Sequence, residues 1–144
     1  MTSLDRFINM VLKLAEPGSV VKRYRLGFGL LSRIYQSTRK RIRSRHLPTV
    51  GFKENLVKHG QEGEMYRHLY FHLAYYLLGP TGWLVSWFIG LIDIRQAAKG
   101  RKESETEVRN NVAGRECGRI LTFYMKGKVD EDTARKQLRG VLAD

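Results

Sequence analysis

The chain is poor in cysteine and proline, and over one long stretch it has no acid at all. Its one cysteine, Cys117, excludes an internal disulfide, so nothing in the composition argues for an oxidising compartment. Three prolines interrupt 144 residues, and no segment alternates apolar and polar residues as a half-buried strand would. Internal repeats and low-complexity tracts are missing too. The opening residues, MTSLDRFINMVLKLAEPG, have neither a basic start nor a small-residue cleavage site, so no secretory leader is expected. Between Glu16 and Glu54 there is no aspartate or glutamate.

That acid-free span holds Lys22, Arg23, Arg25, Arg33, Arg39, Lys40, Arg41, Arg43, Arg45 and Lys53, which account for most of the formal charge of +12. Positive charges so concentrated repel one another unless a polyanion relieves them, so nucleic acid, anionic lipid or an acidic partner is expected there. The rest of the composition, 42% hydrophobic and 28% charged, is that of a globular chain. A single domain is expected over residues 1–144, with a basic N-terminal helical part at 1–53 and a core helical part at 64–144.

Every strong periodicity is helical, which predicts an all-α fold of about six helices. Leu4, Phe7, Ile8, Val11 and Leu12 form one face of a first helix, with Ser3 as N-cap and Pro17-Gly18 as its stop. Val21, Tyr24, Phe28, Leu31, Tyr35, Thr38 and Ile42 step by three and four, predicting a long basic amphipathic helix whose apolar seam is buried. Gly27 and Gly29 each cost such a helix about 1 kcal/mol, so a break or a close packing contact is expected near them. A loop at 46–52 and a short helical turn from Glu54 follow. Further helices are expected over Glu64–Leu78, Trp83–Ala98 and Glu105–Lys126, with a charged linker before the third, and a last helix runs from its N-cap Asp130 towards Leu142.

Leu69 to Ile92 carry no formal charge, a run long enough to cross a bilayer. Gly79, Pro80 and Gly82 divide it into halves too short to span, so the expected form is a central apolar helical hairpin, packed mainly as protein core. A surface-inserted hairpin is the competing form, because Tyr and Trp in this stretch favour bilayer interfaces.

Two polar constellations carry chemistry. Glu64, His68 and His72 share one helical stripe, but Glu64 and His72 lie about 12 Å apart along it at 1.5 Å per residue, so all three do not reach one ion. No metal ligand set and no cofactor are assigned. His68 is expected to be hydrogen-bonded and partly buried, and His72 to lie on the helix surface. On the later helix, Glu107, Asn111, Gly114 and Gly118 form one stripe beside Asn110, Cys117 and Leu121. Its glycines admit a neighbouring backbone. The two asparagines, poor helix formers, either bond to an adjacent helix or loop or orient His68 across a groove. Cys117 reads as a small buried hydrophobe.

Arg67-His68 followed by Asn110-Asn111-x-x-Gly114-Arg115-x-x-Gly118 resembles the pattern of an uncharacterised helical domain of phage particle proteins and bacterial polymorphic toxin effectors. The resemblance covers residues 64–119. The family's aspartate before the asparagine pair is replaced, with Glu107 the nearest acid on that helix. Its intervening His-Glu pair is missing, with Asp93 or Glu105 as stand-ins. The resemblance implies a setting more than a reaction: a virion-like assembly or a bacterial envelope.

The leading functional expectation is therefore a small basic protein of phage or effector type, binding membrane or nucleic acid through Lys22–Arg45, alone or with other subunits of an assembly. One alternative is a hydrolytic, toxin-like enzyme. In it His68 acts as general base, Glu64 or Glu107 orients it, and Arg67, Asn110, Asn111 or Arg115 binds an anionic group. The other is a sequence-independent DNA-binding module, whose affinity would fall steeply with salt.

Overall fold

The computed structural model describes residues 1–15, 25, 27, 29, 49–57 and 64–144. Among these residues the fold is all-α, with six helices and no strand: α1 (Ser3–Leu14), α2 (Glu54–Val57), α3 (Glu64–Leu77), α4 (Pro80–Ala98), α5 (Lys102–Met125) and α6 (Glu131–Leu142). The long basic helix expected over 21–42 falls outside them, as do Lys22, Arg23, Arg33, Arg39, Lys40, Arg41, Arg43 and Arg45; Arg25 is exposed. At Gly27 a Cβ would lie 2.8 Å from Leu78 Cδ2, so this glycine marks a close packing contact, while Gly29 faces open space.

Local chemistry sets most helix ends. α1 is capped by Thr2 rather than Ser3. The Thr2 hydroxyl accepts from Asp5 N–H, and the Asp5 carboxylate accepts from Thr2 N–H at 3.0 Å, a reciprocal box that satisfies two otherwise orphaned donors. Asp130 caps α6 by accepting from Thr133 N–H. α5 begins at Lys102, so the linker before it is shorter than its charge suggested. α4 starts at Pro80, three residues before the expected Trp83. Gly79 takes φ 87° as its N-cap, and Pro80, at the first turn, lacks an N–H that would be unpaired there anyway.

One hydrophobic core joins α1, α2, α3, α5 and α6. Leu69, Leu73, Ala74 and Leu77 of α3 are fully buried against Cys117, Ile120 and Leu121 of α5, with Ala134, Leu138 and Leu142 of α6 in the same core. The face of α1 lies there as expected, and Phe7 joins Phe52, Tyr66 and Tyr70 in an aromatic cluster. Gly114 and Gly118 bring α3 and α5 together: a Cβ at 114 would lie 2.7 Å from Leu69 O, and one at 118 would lie 2.7 Å from Tyr76 Cβ. Cys117 is fully buried, which pushes its thiol up to about 12.

Candidate functional site

α4 contributes no residue to that core. Its buried positions are Gly82, Ser86 and Gly90, a stripe of small residues at four-residue spacing. At Gly82 a Cβ would meet Tyr75 O at 2.1 Å, so α4 runs against the α3 backbone and a side chain there has no room. The large apolar side chains consequently point outward. Trp83, Trp87, Leu91 and Ile94 are exposed, and Leu84, Phe88 and Ile92 more so, at 60%, 75% and 58%. No acidic residue precedes Asp93 on this helix, while Arg95, Lys99, Arg101 and Lys102 are exposed at its C-terminal end, Arg101 lying 3.8 Å from Glu103. The central hairpin is thus buried along one arm only. No helix among the described residues is long and apolar enough to cross a membrane.

Where α4, α3 and α5 meet, their polar side chains form a network. The Asp93 carboxylate accepts a 2.8 Å hydrogen bond from Asn111 Nδ2, and Asn111 Oδ1 lies 2.6 Å from His68 Nδ1. A carboxylate only accepts, so Asp93 sets the orientation of the Asn111 amide. The amide oxygen then faces His68, whose Nδ1 must carry the proton. In the neutral form of this tautomer the lone pair is on Nε2. His68 Nδ1 and Asp93 Oδ2 are 3.9 Å apart, and both side chains are about one-seventh exposed, at 14% and 15%. Glu107 approaches from α5: ligand atoms of His68, Asp93 and Glu107 all lie within 4.8 Å of one another.

A second set lies one turn along. His72 is buried, not on the helix surface as its stripe had implied, because α4 covers it. Its Nδ1 is 2.6 Å from Ser86 Oγ, and Arg115 Nη1 reaches both Ser86 Oγ at 3.3 Å and His72 Nδ1 at 3.4 Å. Arg115 can only donate, so Ser86 accepts from it and turns its own hydroxyl proton to His72. Burial first, then the charge of Arg115 and the neighbouring His68, pulls His72 down to about 3, so its imidazole is neutral. The Arg115 guanidinium also lies over the Trp87 ring, 4.2 Å from its centroid, and its own pKa is lowered by burial. The His68 and His72 rings stack at 6.3 Å.

Of the residues singled out from the sequence, His68, Asn111 and Glu107 come together. Arg115 is buried beside them, its guanidinium engaged by Ser86 and Trp87. Asn110 is also buried, and its Oδ1 has no hydrogen-bond partner among the described residues. Arg67 is partly exposed on α3, next to His68; Glu64 starts that helix, and its side chain is outside the described part. In the sequence Asp93 stands out only as a stand-in for the missing His-Glu pair, and Ser86 not at all. Their signal was the register Gly82, Ser86, Gly90, Asp93, a small and polar stripe through an apolar segment. No family model, curated protein or solved structure matches this chain.

Proposed function

We propose that this protein acts at an anionic membrane surface, seated on it by the outward face of α4. The observation that carries this reading is the inverted packing of that helix, with small residues inside and large apolar ones facing out. In water a bundle helix gains stability by the reverse arrangement. Large apolar side chains outside a small-residue seam suit a helix whose far side meets lipid. Trp83 and Trp87 have the amphipathic rings favoured at the headgroup level, and the basic C-terminal end of α4, together with Lys22–Arg45, would supply attraction to anionic lipid. The motif resemblance would place such a protein at a bacterial envelope or in a virion-like particle.

Co-flotation with neutral and anionic liposomes tests this. Wild-type protein should float with anionic vesicles and keep part of that binding at high salt, and the paired substitution Phe88→Glu and Ile92→Glu should abolish it without changing the far-UV circular dichroism. Absence of wild-type flotation would sink the reading. Salt-sensitive binding to duplex DNA in its place would favour the nucleic-acid alternative, and concentration-dependent dimers lost in the paired variant would assign the face to a second copy.

A second reading, a hydrolytic enzyme, is favoured by the aligned Asp93, Asn111 and His68. In this reading Asp93 holds the amide, the amide oxygen holds the Nδ1 proton, and Nε2 takes a proton from an attacking water, with Arg67 near enough in sequence to meet an anionic substrate group. His68→Ala and Asn111→Ala should then each abolish the biological effect while flotation persists. Retained activity in both variants would remove this reading alone.

A further inference from the structure

We infer that His68, Asp93, Glu107 and Asn111 form a binding site for one divalent transition-metal ion. Three ligand atoms, one each from α3, α4 and α5, already lie within 4.8 Å of one another. Metal–ligand bonds of about 2.0–2.2 Å to nitrogen and carboxylate oxygen need such atoms only somewhat closer, a contraction available to side-chain rotation. Asn111 Oδ1 points at the same place, since it lies 2.6 Å from His68 Nδ1, and it is a neutral oxygen able to complete the set. Asn111 Nδ2 meanwhile holds Asp93 Oδ2 at 2.8 Å, the kind of outer hydrogen bond that aims a ligating carboxylate.

Asp93 and Glu107 each offer a carboxylate oxygen at this point, donors suited to a divalent cation. His68 and Asp93 retain 14% and 15% exposure, enough for an ion to enter from solvent. The donor set of one imidazole with carboxylate and amide oxygens selects the class. Magnesium and calcium prefer oxygen alone, and copper(I) prefers sulfur, whereas manganese and zinc take this mixture. The chain's one thiol, Cys117, is fully buried in the core. With the ion bound, the Nδ1 proton of His68 moves to Nε2 and the imidazole coordinates through Nδ1.

The inference is independent of membrane docking and revises the enzyme reading of the same residues, because a His68 that coordinates through Nδ1 keeps its proton on Nε2 and no longer serves as the base. Its test is equilibrium dialysis of the chelator-stripped full chain against manganese or zinc chloride, read as bound metal per chain, with thermal melts alongside. One ion per chain and a melting temperature that rises to saturation are expected. Asp93→Asn and Glu107→Gln should each weaken binding by about tenfold or more. His46→Gln with His59→Gln, which removes the chain's two other histidines outside this network, should leave binding unchanged. No saturable binding, or wild-type affinity in both carboxylate variants, overturns the site; magnesium raising the melt as much as zinc overturns the metal class. Stoichiometric binding with no activity under any metal would leave the site standing and remove the enzyme reading. Activity lost in His68→Ala but indifferent to chelator would do the reverse.

Discussion

α3 and α4 are the two arms of one hairpin, joined at Leu78 and Gly79, with similar apolar content and opposite fates. α3 buries Leu69, Leu73 and Leu77 completely; α4 buries glycine and serine and leaves tryptophan, phenylalanine, leucine and isoleucine outside. Apolar composition did not decide which arm became core. Close backbone approach did: α3 lies between Gly114 and Gly118 of α5 and Gly82 of α4, where no side chain fits, and the large side chains of α4 point away from that contact.

The comparison can be broken most forcefully on the buried arm. Leu73→Ala should cost about 2–5 kcal/mol of folding stability, because it empties a fully closed site, and urea denaturation measures it. Next comes the seam. Gly82→Ala places a methyl against Tyr75 O and should cost about 1–3 kcal/mol, with α4 losing hydrogen-exchange protection ahead of α3. If the two helices instead lose protection together, the hairpin is one cooperative unit and its arms are less different than their packing implies.

A third test uses pH at the junction of the arms. His72 falls from its ordinary 6.5 to about 3 in the folded chain, so the unfolded chain binds the extra proton between those values. The stability tied to neutral His72 is complete above about pH 6.5 and declines as pH falls towards 3, by up to about 1.4 kcal/mol per unit. Urea midpoints at pH 7, 6 and 5 should show this slope. Asp5, held near 2 by Thr2 and Arg139, loses its contribution only below its ordinary 3.8 and does not affect midpoints between pH 5 and 7. The smallest effect belongs to the outward arm: Phe88→Ala should change stability by no more than about 0.5 kcal/mol while reducing liposome flotation. A large loss of stability there would mean that the face is already covered.

What was legible in the sequence was local. The buried face of α1, the Asp130 cap and the glycine-lined face of α5 each follow from contiguous residues and helical spacing, since a periodic apolar stripe or a capping side chain carries its own register. The sequence around Pro80 reads as a break, yet a first-turn proline suits a helix, and α4 starts there. α4 is apolar nearly all round, so its pattern had no contrast from which to read a facing side. The stripe of α3 alone puts His72 at the surface, because that helix says nothing of the neighbour that covers it.

The sequence by itself determined that this chain is helical, that ten of its 26 basic residues fall in one acid-free span, and that His68 and Asn111 were worth joining. Only the tertiary structure decided that Asp93 completes their network, that Ser86 and Arg115 enclose His72, and that the large side chains of α4 face outward. The physical reason is reach. Helix periodicity and capping act over a few residues, whereas these contacts join separate helices and depend on backbone approach distances that glycine and serine permit but do not announce.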